Sequence, residues 1–156
     1  WEALRAMLLH RAARSLFEPD GEGDVQIERL IAHSGGHPRE LLRLLKQCCE
    51  VAEKKIDGKK VLDAVAVSRA IELLAAEYRR FLKPEDYELL ARIDTHAAHQ
   101  GNNEQAQKLL HRLALMEYND GSWRCSHPVI RTLEGYQLAK QAMAATAAAP
   151  TPDAAP

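Results

Sequence analysis

Apolar residues recur at every third or fourth position along most of this chain, and this spacing predicts amphipathic α-helices. The first helix is predicted over residues 1–17. Asp24 is a suitable N-terminal cap for a second helix ending near His33, because its carboxylate can accept hydrogen bonds from free backbone N–H groups. A third helix is predicted from Pro38 to about Lys55. These three helices in succession predict a small helical subdomain.

The third helix has the clearest buried side of the three. Its apolar stripe consists of Leu41, Leu45, Cys48 and Ala52, with Leu42 and Cys49 beside it. The segment Ile56–Lys60, which contains Asp57-Gly58, is interpreted as a turn that ends this first group of elements.

Three further helices are predicted in the next part of the chain. One helix is predicted over about 61–82, where apolar residues again recur at helical spacing. Pro84 suits the first position of the following helix, because its missing N–H would have no partner there. Asn102 or Asn103 can cap the helix after that.

A β-hairpin and a last helix follow. Two short strands are predicted at Leu115–Tyr118 and Trp123–Ser126, where apolar residues are interspersed with polar ones, and Asp120-Gly121 lies in the turn between them. Asp-Gly between two alternating stretches is a strong hairpin signal. His127-Pro128 is predicted to open a last helix that ends near Ala142.

The order helix, helix, turn, helix, β-hairpin resembles that of a winged helix-turn-helix domain. The sequence therefore predicts a mainly α fold in which a helical lid-like subdomain (1–60) precedes a winged helix-turn-helix domain (61–143) with one short β-hairpin. The Ala/Pro-rich tail at 144–156 is predicted to be disordered, because it has few groups that can pack. A short helical extension into its alanines is the alternative.

The corner before the third helix carries the candidate site. Gly35 and Gly36 suit the left-handed residues that end a helix, and Pro38 suits the start of the next one. Arg39 falls in the first turn, where free N–H groups and the helix dipole favour anions over cations. An arginine placed there is predicted to bind an anion that comes from outside the helix.

The residues Gly36, His37, Pro38 and Arg39 resemble the sensor-2 motif in the lid of AAA+ and signal-transducing (STAND) P-loop ATPases. In those families a Gly-x-x-Arg element opens a lid helix, and its arginine reaches the nucleotide phosphates. The resemblance implies that Arg39 bonds a β- or γ-phosphate, that Pro38 packs near the nucleotide, and that His37 stacks on it or bonds it. The alternative is an ordinary helix corner with an exposed arginine.

The same resemblance implies that the chain is the non-catalytic C-terminal regulatory region of a bacterial-type P-loop ATPase. ATP or ADP would then be held by a P-loop domain outside this chain, because Glu53 and Lys60 occupy the glycine and hydroxyl positions of a Walker A motif around Gly58-Lys59. We expect a fragment or an excised domain, because the chain opens with Trp1. The implied partners are the missing N-terminal P-loop domain, further copies of the chain in a homo-oligomer, and double-stranded DNA or a partner protein.

The candidate contact residues of the winged helix are Gln105, Lys108 and Arg112 on the polar side of its recognition helix and Arg124 on the hairpin. Such side chains can contact phosphates and bases. The whole chain has a net charge of −1, however, and Glu104 lies among these residues. The positive patch available to bind DNA is therefore small. Protein contact is the competing use. The alternative function is a free-standing winged-helix transcriptional regulator that binds DNA.

Composition limits the classes of protein to which this chain can belong. The chain has 156 residues, is 46% hydrophobic and 28% charged, and has no long apolar stretch, which predicts a globular cytoplasmic protein without a membrane span. Its three cysteines form no CxxC pair, which argues against a disulfide framework or a zinc ribbon. His96 and His99 are spaced to share a metal, but two ligands make no zinc site. No catalytic residue and no metal is predicted in this chain.

Overall fold

The computed structural model of this chain describes residues 1–17, 22–96 and 103–148. Within them the chain forms seven α-helices and two antiparallel two-stranded β-hairpins, so the predicted mainly α class is confirmed. The described residues divide into two compact units. Unit 1 comprises the residues up to Phe81 together with His127–Val129, and unit 2 comprises the remainder from Leu82 onward.

Unit 1 is built from four helices and one hairpin. Its elements are α1 (Glu2–Arg11), a 3₁₀ turn (Arg14–Leu16), α2 (Glu22–His33), α3 (Pro38–Val51), β1 (Lys55–Ile56), β2 (Lys59–Lys60) and α4 (Ala64–Arg79). α1 and α3 both end earlier than predicted, because the backbone becomes extended at Ala12 and at Ala52.

The centre of unit 1 lies where α3 packs against α2 and α4. The predicted stripe of α3 is confirmed as its buried side, since Leu41 and Cys48 have no exposed surface and Leu45 is 7% exposed. Cys49 beside that stripe is exposed. α4, which the sequence analysis assigns to the domain beginning at residue 61, packs within unit 1.

The start of α2 differs from the prediction. α2 begins at Glu22, so Asp24 lies inside its first turn and not at the cap position. Its carboxylate forms ion pairs with Arg5 and, across 3.1 Å, with Arg14. The hydrogen bond from Arg5 is the largest influence that lowers the pKa of Asp24, and the nearby charge of Arg14 adds to it. The prediction of an Asp24 cap is therefore wrong, because these ion pairs engage the carboxylate.

Unit 1 contains a hairpin where the sequence analysis predicts only a turn at Ile56–Lys60. Lys55 pairs with Lys60 and Ile56 with Lys59, around a two-residue loop. Asp57 and Gly58 in that loop have φ angles of 51° and 76°. Such loops require this left-handed backbone, and Asp-Gly supplies it readily. Strands of only two residues are too short to show alternation, which is why the sequence indicated only a turn.

Unit 2 contains three helices and the second hairpin. Its elements are α5 (Pro84–Thr95), α6 (Glu104–His111), β3 (Leu115–Tyr118), β4 (Trp123–Ser126), a 3₁₀ turn (Ile130–Thr132) and α7 (Glu134–Ala148). α5 packs against α7 and β4, and α6 packs against β3. The predicted cap of α6 is confirmed at Asn103, whose side chain accepts a hydrogen bond from the Ala106 N–H across 2.8 Å. Both strands of this hairpin have the predicted bounds.

The last helix begins and ends later than predicted. The 3₁₀ turn at Ile130–Thr132 follows the proline, and α7 begins only at Glu134. α7 continues to Ala148, so residues 144–148 of the predicted disordered tail are helical, as in the alternative of a short extension. The rest of that tail, residues 149–156, lies outside the described residues.

Two of the three cysteines are buried. Cys48 and Cys125 are enclosed by the cores of their units, and Cys49 is exposed. Burial raises the pKa of Cys48 to about 12 and also raises the pKa of Cys125. These two thiols are therefore protonated at neutral pH.

Candidate functional site

The corner between α2 and α3 is a well-defined turn. The Ser34 hydroxyl is buried, donates to the Ile31 carbonyl across 2.7 Å and accepts from the Gly36 N–H across 3.3 Å. Gly35 and Gly36 have φ angles of 62° and 78°, as the sequence predicts. A β-carbon at position 36 would meet no atom within 4 Å, so glycine is required there by its backbone conformation and not by lack of space.

This corner presents the predicted nucleotide-sensing residues side by side. His37 is the N-cap residue of α3, Pro38 begins the helix, and Arg39 is exposed in its first turn. Among the described residues, the Arg39 guanidinium forms no hydrogen bond or ion pair. His37 Nδ1 is buried and likewise has no hydrogen-bond partner in that part of the chain. The corner thus combines a cation and a ring nitrogen that the described fold does not use.

The next arginine on α3 has a different environment. Arg43 forms an ion pair with Glu77 of α4, and its Nη1 lies 3.6 Å from Glu40 Oε1. Gln47 Nε2, one turn later, donates to Glu77 Oε1 across 2.9 Å. Arg43 therefore serves α3–α4 packing, which leaves Arg39 as the arginine of α3 that is available to a ligand.

A buried polar cluster in unit 1 was not predicted. The Tyr78 hydroxyl donates to Glu40 Oε2 across 3.4 Å, and His127 Nε2 lies 3.9 Å from the same oxygen. The His127 and Tyr78 ring centroids are 4.9 Å apart. Burial and then the charge of Glu40 raise the pKa of Tyr78, which keeps its hydroxyl protonated and able to donate. The spacing of Glu40 from Leu44 and Cys48 was the available signal, because these residues share one side of α3.

The predicted contact residues of unit 2 are largely engaged within the unit. Gln105 Nε2 donates to Asp86 Oδ1 across 2.8 Å, and Lys108 Nζ lies 2.7 Å from Glu104 Oε1. Arg124 and Glu117 face each other across the β3–β4 register and form an ion pair of 2.6 Å. Arg112 is exposed at the end of α6. The positive charges that would meet a phosphate backbone are thus largely neutralised by neighbouring carboxylates.

A second polar network, which the sequence analysis also missed, is centred on Asp94 at the end of α5. Asp94 Oδ1 accepts from the Ser126 N–H across 2.8 Å, and Oδ2 accepts from the Ser126 hydroxyl. The Tyr136 hydroxyl donates to Oδ2 across 2.6 Å, and Arg131 Nε lies 3.1 Å from that oxygen. Burial and then the hydrogen bond to Asp94 raise the pKa of Tyr136 to about 12. We call these four residues the Asp94 network.

The Asp94 network forms one wall of a cavity of about 420 Å³. The cavity is lined by Ile93, Asp94, Thr95, Trp123, Arg124, Cys125, Arg131, Tyr136, Gln137 and Lys140. A volume in this range is typical of pockets for small organic ligands. No sequence motif marks it, because its residues come from three separate stretches of the chain.

Of the histidine pair noted in the sequence analysis, the structure describes only His96. His99 lies outside the described residues. Within the described ranges, no three His, Cys, Asp or Glu side chains are placed to hold a metal ion, and no helix has the length and apolarity needed to cross a bilayer.

Comparison of the chain with protein-family models, with curated proteins and with solved structures found no match.

Proposed function

We propose that this chain is the non-catalytic C-terminal regulatory region of a P-loop ATPase of the AAA+/STAND type. In this proposal unit 1 is a helical lid that senses the state of a nucleotide, and unit 2 contacts a partner. The observation that carries the proposal is the available guanidinium of Arg39 in the first turn of α3. ATP or ADP would be held by a P-loop domain outside this chain, in the cytoplasm.

The electrostatics of the corner support this role for Arg39. The first turn of α3 has free backbone N–H groups and the positive end of the helix dipole, so a cation there is not stabilised by its own helix. A phosphate oxygen would be attracted by the guanidinium and by the helix terminus together. A hydrogen bond to a charged group contributes about 1.5–3 kcal/mol, which is enough to make lid closure depend on the terminal phosphate.

The element order of unit 2 supports a winged-helix module. α5 and α6 are followed directly by the β3–β4 hairpin, as helix-turn-helix elements are followed by a wing. The ion pairs Lys108–Glu104 and Arg124–Glu117 favour protein contact over DNA contact, because they reduce the number of cations that can replace counterions on a phosphate backbone. We therefore propose a protein partner, which includes other copies in an ATPase oligomer.

The decisive experiment compares Arg39→Ala with Lys46→Ala in the full-length parent protein. Lys46 lies on the same helix and is exposed, and its one ion pair among the described residues is with Glu50 of its own helix, so it controls for loss of a surface cation. We expect Arg39→Ala to weaken ATP binding, measured by titration, about tenfold or more, with a smaller effect on ADP. Thermal unfolding should be unchanged for both variants. Normal ATP affinity and turnover in Arg39→Ala would contradict the nucleotide-sensing role and leave the corner as a simple helix junction.

A second experiment separates the alternative, a free-standing DNA-binding regulator. The 156-residue protein is titrated into labelled duplex DNA at low and at physiological salt, and binding is followed by fluorescence anisotropy. We expect at most weak binding with a small salt dependence. Nanomolar affinity at physiological salt would favour the transcriptional regulator.

A further inference from the structure

We propose that the cavity beside the Asp94 network binds a small organic phosphate that contains a flat ring in addition to its phosphate group. This proposal does not depend on the lid function, because every residue of the cavity belongs to unit 2. It rests on the charge of the lining, on the fixed position of Arg131 and on the exposure of Trp123.

The charge of the lining favours an anion. Arg124, Arg131 and Lys140 line the cavity together with a single carboxylate, that of Asp94. The two oxygens of that carboxylate accept hydrogen bonds from the Ser126 backbone, the Ser126 hydroxyl and the Tyr136 hydroxyl in addition to the ion pair with Arg131. Arg131 offsets the charge of Asp94, and Arg124 is paired with Glu117 across 2.6 Å. The positive charge of the lining that remains for a ligand is therefore that of Lys140.

Arg131 is held in place before any ligand arrives. Its Nε donates to Ser126 Oγ across 2.9 Å and its Nη2 to Asp94 Oδ1 across 3.3 Å. Gln137 Nε2 donates to the Arg131 carbonyl across 2.5 Å, which fixes the backbone as well. The Arg131 side chain is nevertheless 42% exposed. A planar guanidinium that is fixed on one side and accessible on the other is suited to phosphate recognition.

Lys140 supplies a second cation that can move towards the anion. It is exposed on α7 and forms no ion pair with any described residue. Its flexible ammonium group can approach a phosphate held by Arg131 without breaking an existing contact.

Trp123 supplies a stacking surface. It lines the cavity and is 53% exposed, which is unusual for so large an apolar side chain. Its ring packs against Tyr118 on one side, with centroids 4.7 Å apart. The rest of the indole is open to a ligand ring, and aromatic pairs in such offset arrangements are stabilising. A flat ring joined to a phosphate would use the tryptophan and the cations together.

The test uses the 156-residue protein with the change Trp1→Phe, which leaves Trp123 as its only tryptophan. The probes are AMP, adenosine, inorganic phosphate and O-phosphotyrosine, and binding is followed by Trp123 fluorescence. We expect saturable quenching by AMP or by phosphotyrosine, at least about tenfold tighter than by adenosine or phosphate alone. If AMP binds more tightly the ligand is a nucleotide, and if phosphotyrosine binds more tightly it is a phosphorylated tyrosine.

Substitutions inside and outside the cavity show whether the ligand binds there. Lys140→Gln should weaken the ring phosphate about tenfold, should leave adenosine unchanged, and should be largely rescued by Lys140→Arg. Lys108→Gln, an exposed lysine of unit 2 outside the cavity, and Arg39→Ala in unit 1 should have no effect.

Three results would overturn the proposal. The first is absence of saturable quenching by both ring phosphates up to roughly 10 mM, the range of very weak binding. The second is an affinity for inorganic phosphate that equals that of the tighter ring phosphate. The third is binding of that ring phosphate that Lys140→Gln leaves intact.

Discussion

Gly135 of α7 lies directly against the ring of Tyr87 of α5, so that a β-carbon at position 135 would come within 2.6 Å of Tyr87 Cε2. Real β-carbons do not approach other atoms this closely. Since Tyr87 is itself buried, a shift of its ring would disturb the packing around it. The absence of a side chain at position 135 is therefore a condition for the close packing of α5 on α7.

Gly135→Ala is expected to destabilise the protein. Alanine normally stabilises a helix relative to glycine by up to about 1 kcal/mol, but the overlap with Tyr87 should cost about 1–3 kcal/mol. Urea denaturation measures the difference. In a Tyr87→Leu background the same substitution should become neutral or stabilising, and Gln141→Ala on the exposed side of α7 should change little. Destabilisation by Gly135→Ala that persists in the Tyr87→Leu protein would contradict this explanation.

Removing the carboxylate of Asp94 should destabilise unit 2. Asp94→Ala leaves the Ser126 and Tyr136 hydroxyls without their acceptor and Arg131 without its ion-pair partner. The loss should exceed about 1.5–3 kcal/mol, the contribution of one hydrogen bond to a charged group. Glu85→Gln, an exposed carboxylate of the same helix, is the matched control and should stay within about 0.5 kcal/mol. Equal unfolding midpoints for the two variants would argue against the network.

The Asp94 network also predicts a stability change at high pH. The pKa of Tyr136 is raised to about 12, so between pH 10 and 12 the unfolded state loses a proton that the folded state keeps. The contribution of Tyr136 to the free energy of unfolding is thus complete below pH 10 and is lost as the pH rises through 12. The free energy of unfolding is measured by chemical denaturation at successive pH values. Between pH 10 and 12 it should fall less steeply for Tyr136→Phe than for the unaltered protein. Parallel profiles for the two proteins would contradict the assignment.

The two sides of α3 should respond differently to truncation. Leu45→Ala removes a buried side chain from the stripe and should cost about 2–5 kcal/mol. Arg39→Ala removes an exposed side chain and should stay within about 0.5 kcal/mol. Thermal melts of the 156-residue protein compare them directly, with Lys46→Ala as a second exposed control. A large loss of stability in Arg39→Ala would assign that arginine a structural role.

Local signals explain what the sequence predicted well. The hairpin at 115–126, the glycines of the α2–α3 corner and the cap at Asn103 depend on backbone conformations that a few adjacent residues determine. A prediction from adjacent residues fails where a distant residue binds the side chain in question. Asp24 resembles a cap, but its carboxylate is engaged by Arg5 and Arg14.

The two polar networks could not be predicted, because their members are distant in sequence. Asp94 bonds Ser126, Arg131 and Tyr136, which lie 32, 37 and 42 positions further along the chain. Such distances between partners are set by tertiary packing and leave no periodic pattern. Glu40 was open to prediction in part, since it shares a side of α3 with buried residues, but its partner Tyr78 is 38 positions away.

The unequal environments of the three cysteines have a practical consequence. A thiol-specific reagent at neutral pH reaches Cys49 at the surface of α3, while Cys48 and Cys125 are enclosed. The unaltered sequence therefore offers a preferred attachment point for a fluorophore or spin label. That point lies on the helix that carries Arg39, so a label there can report how this helix moves when a nucleotide or a partner is added.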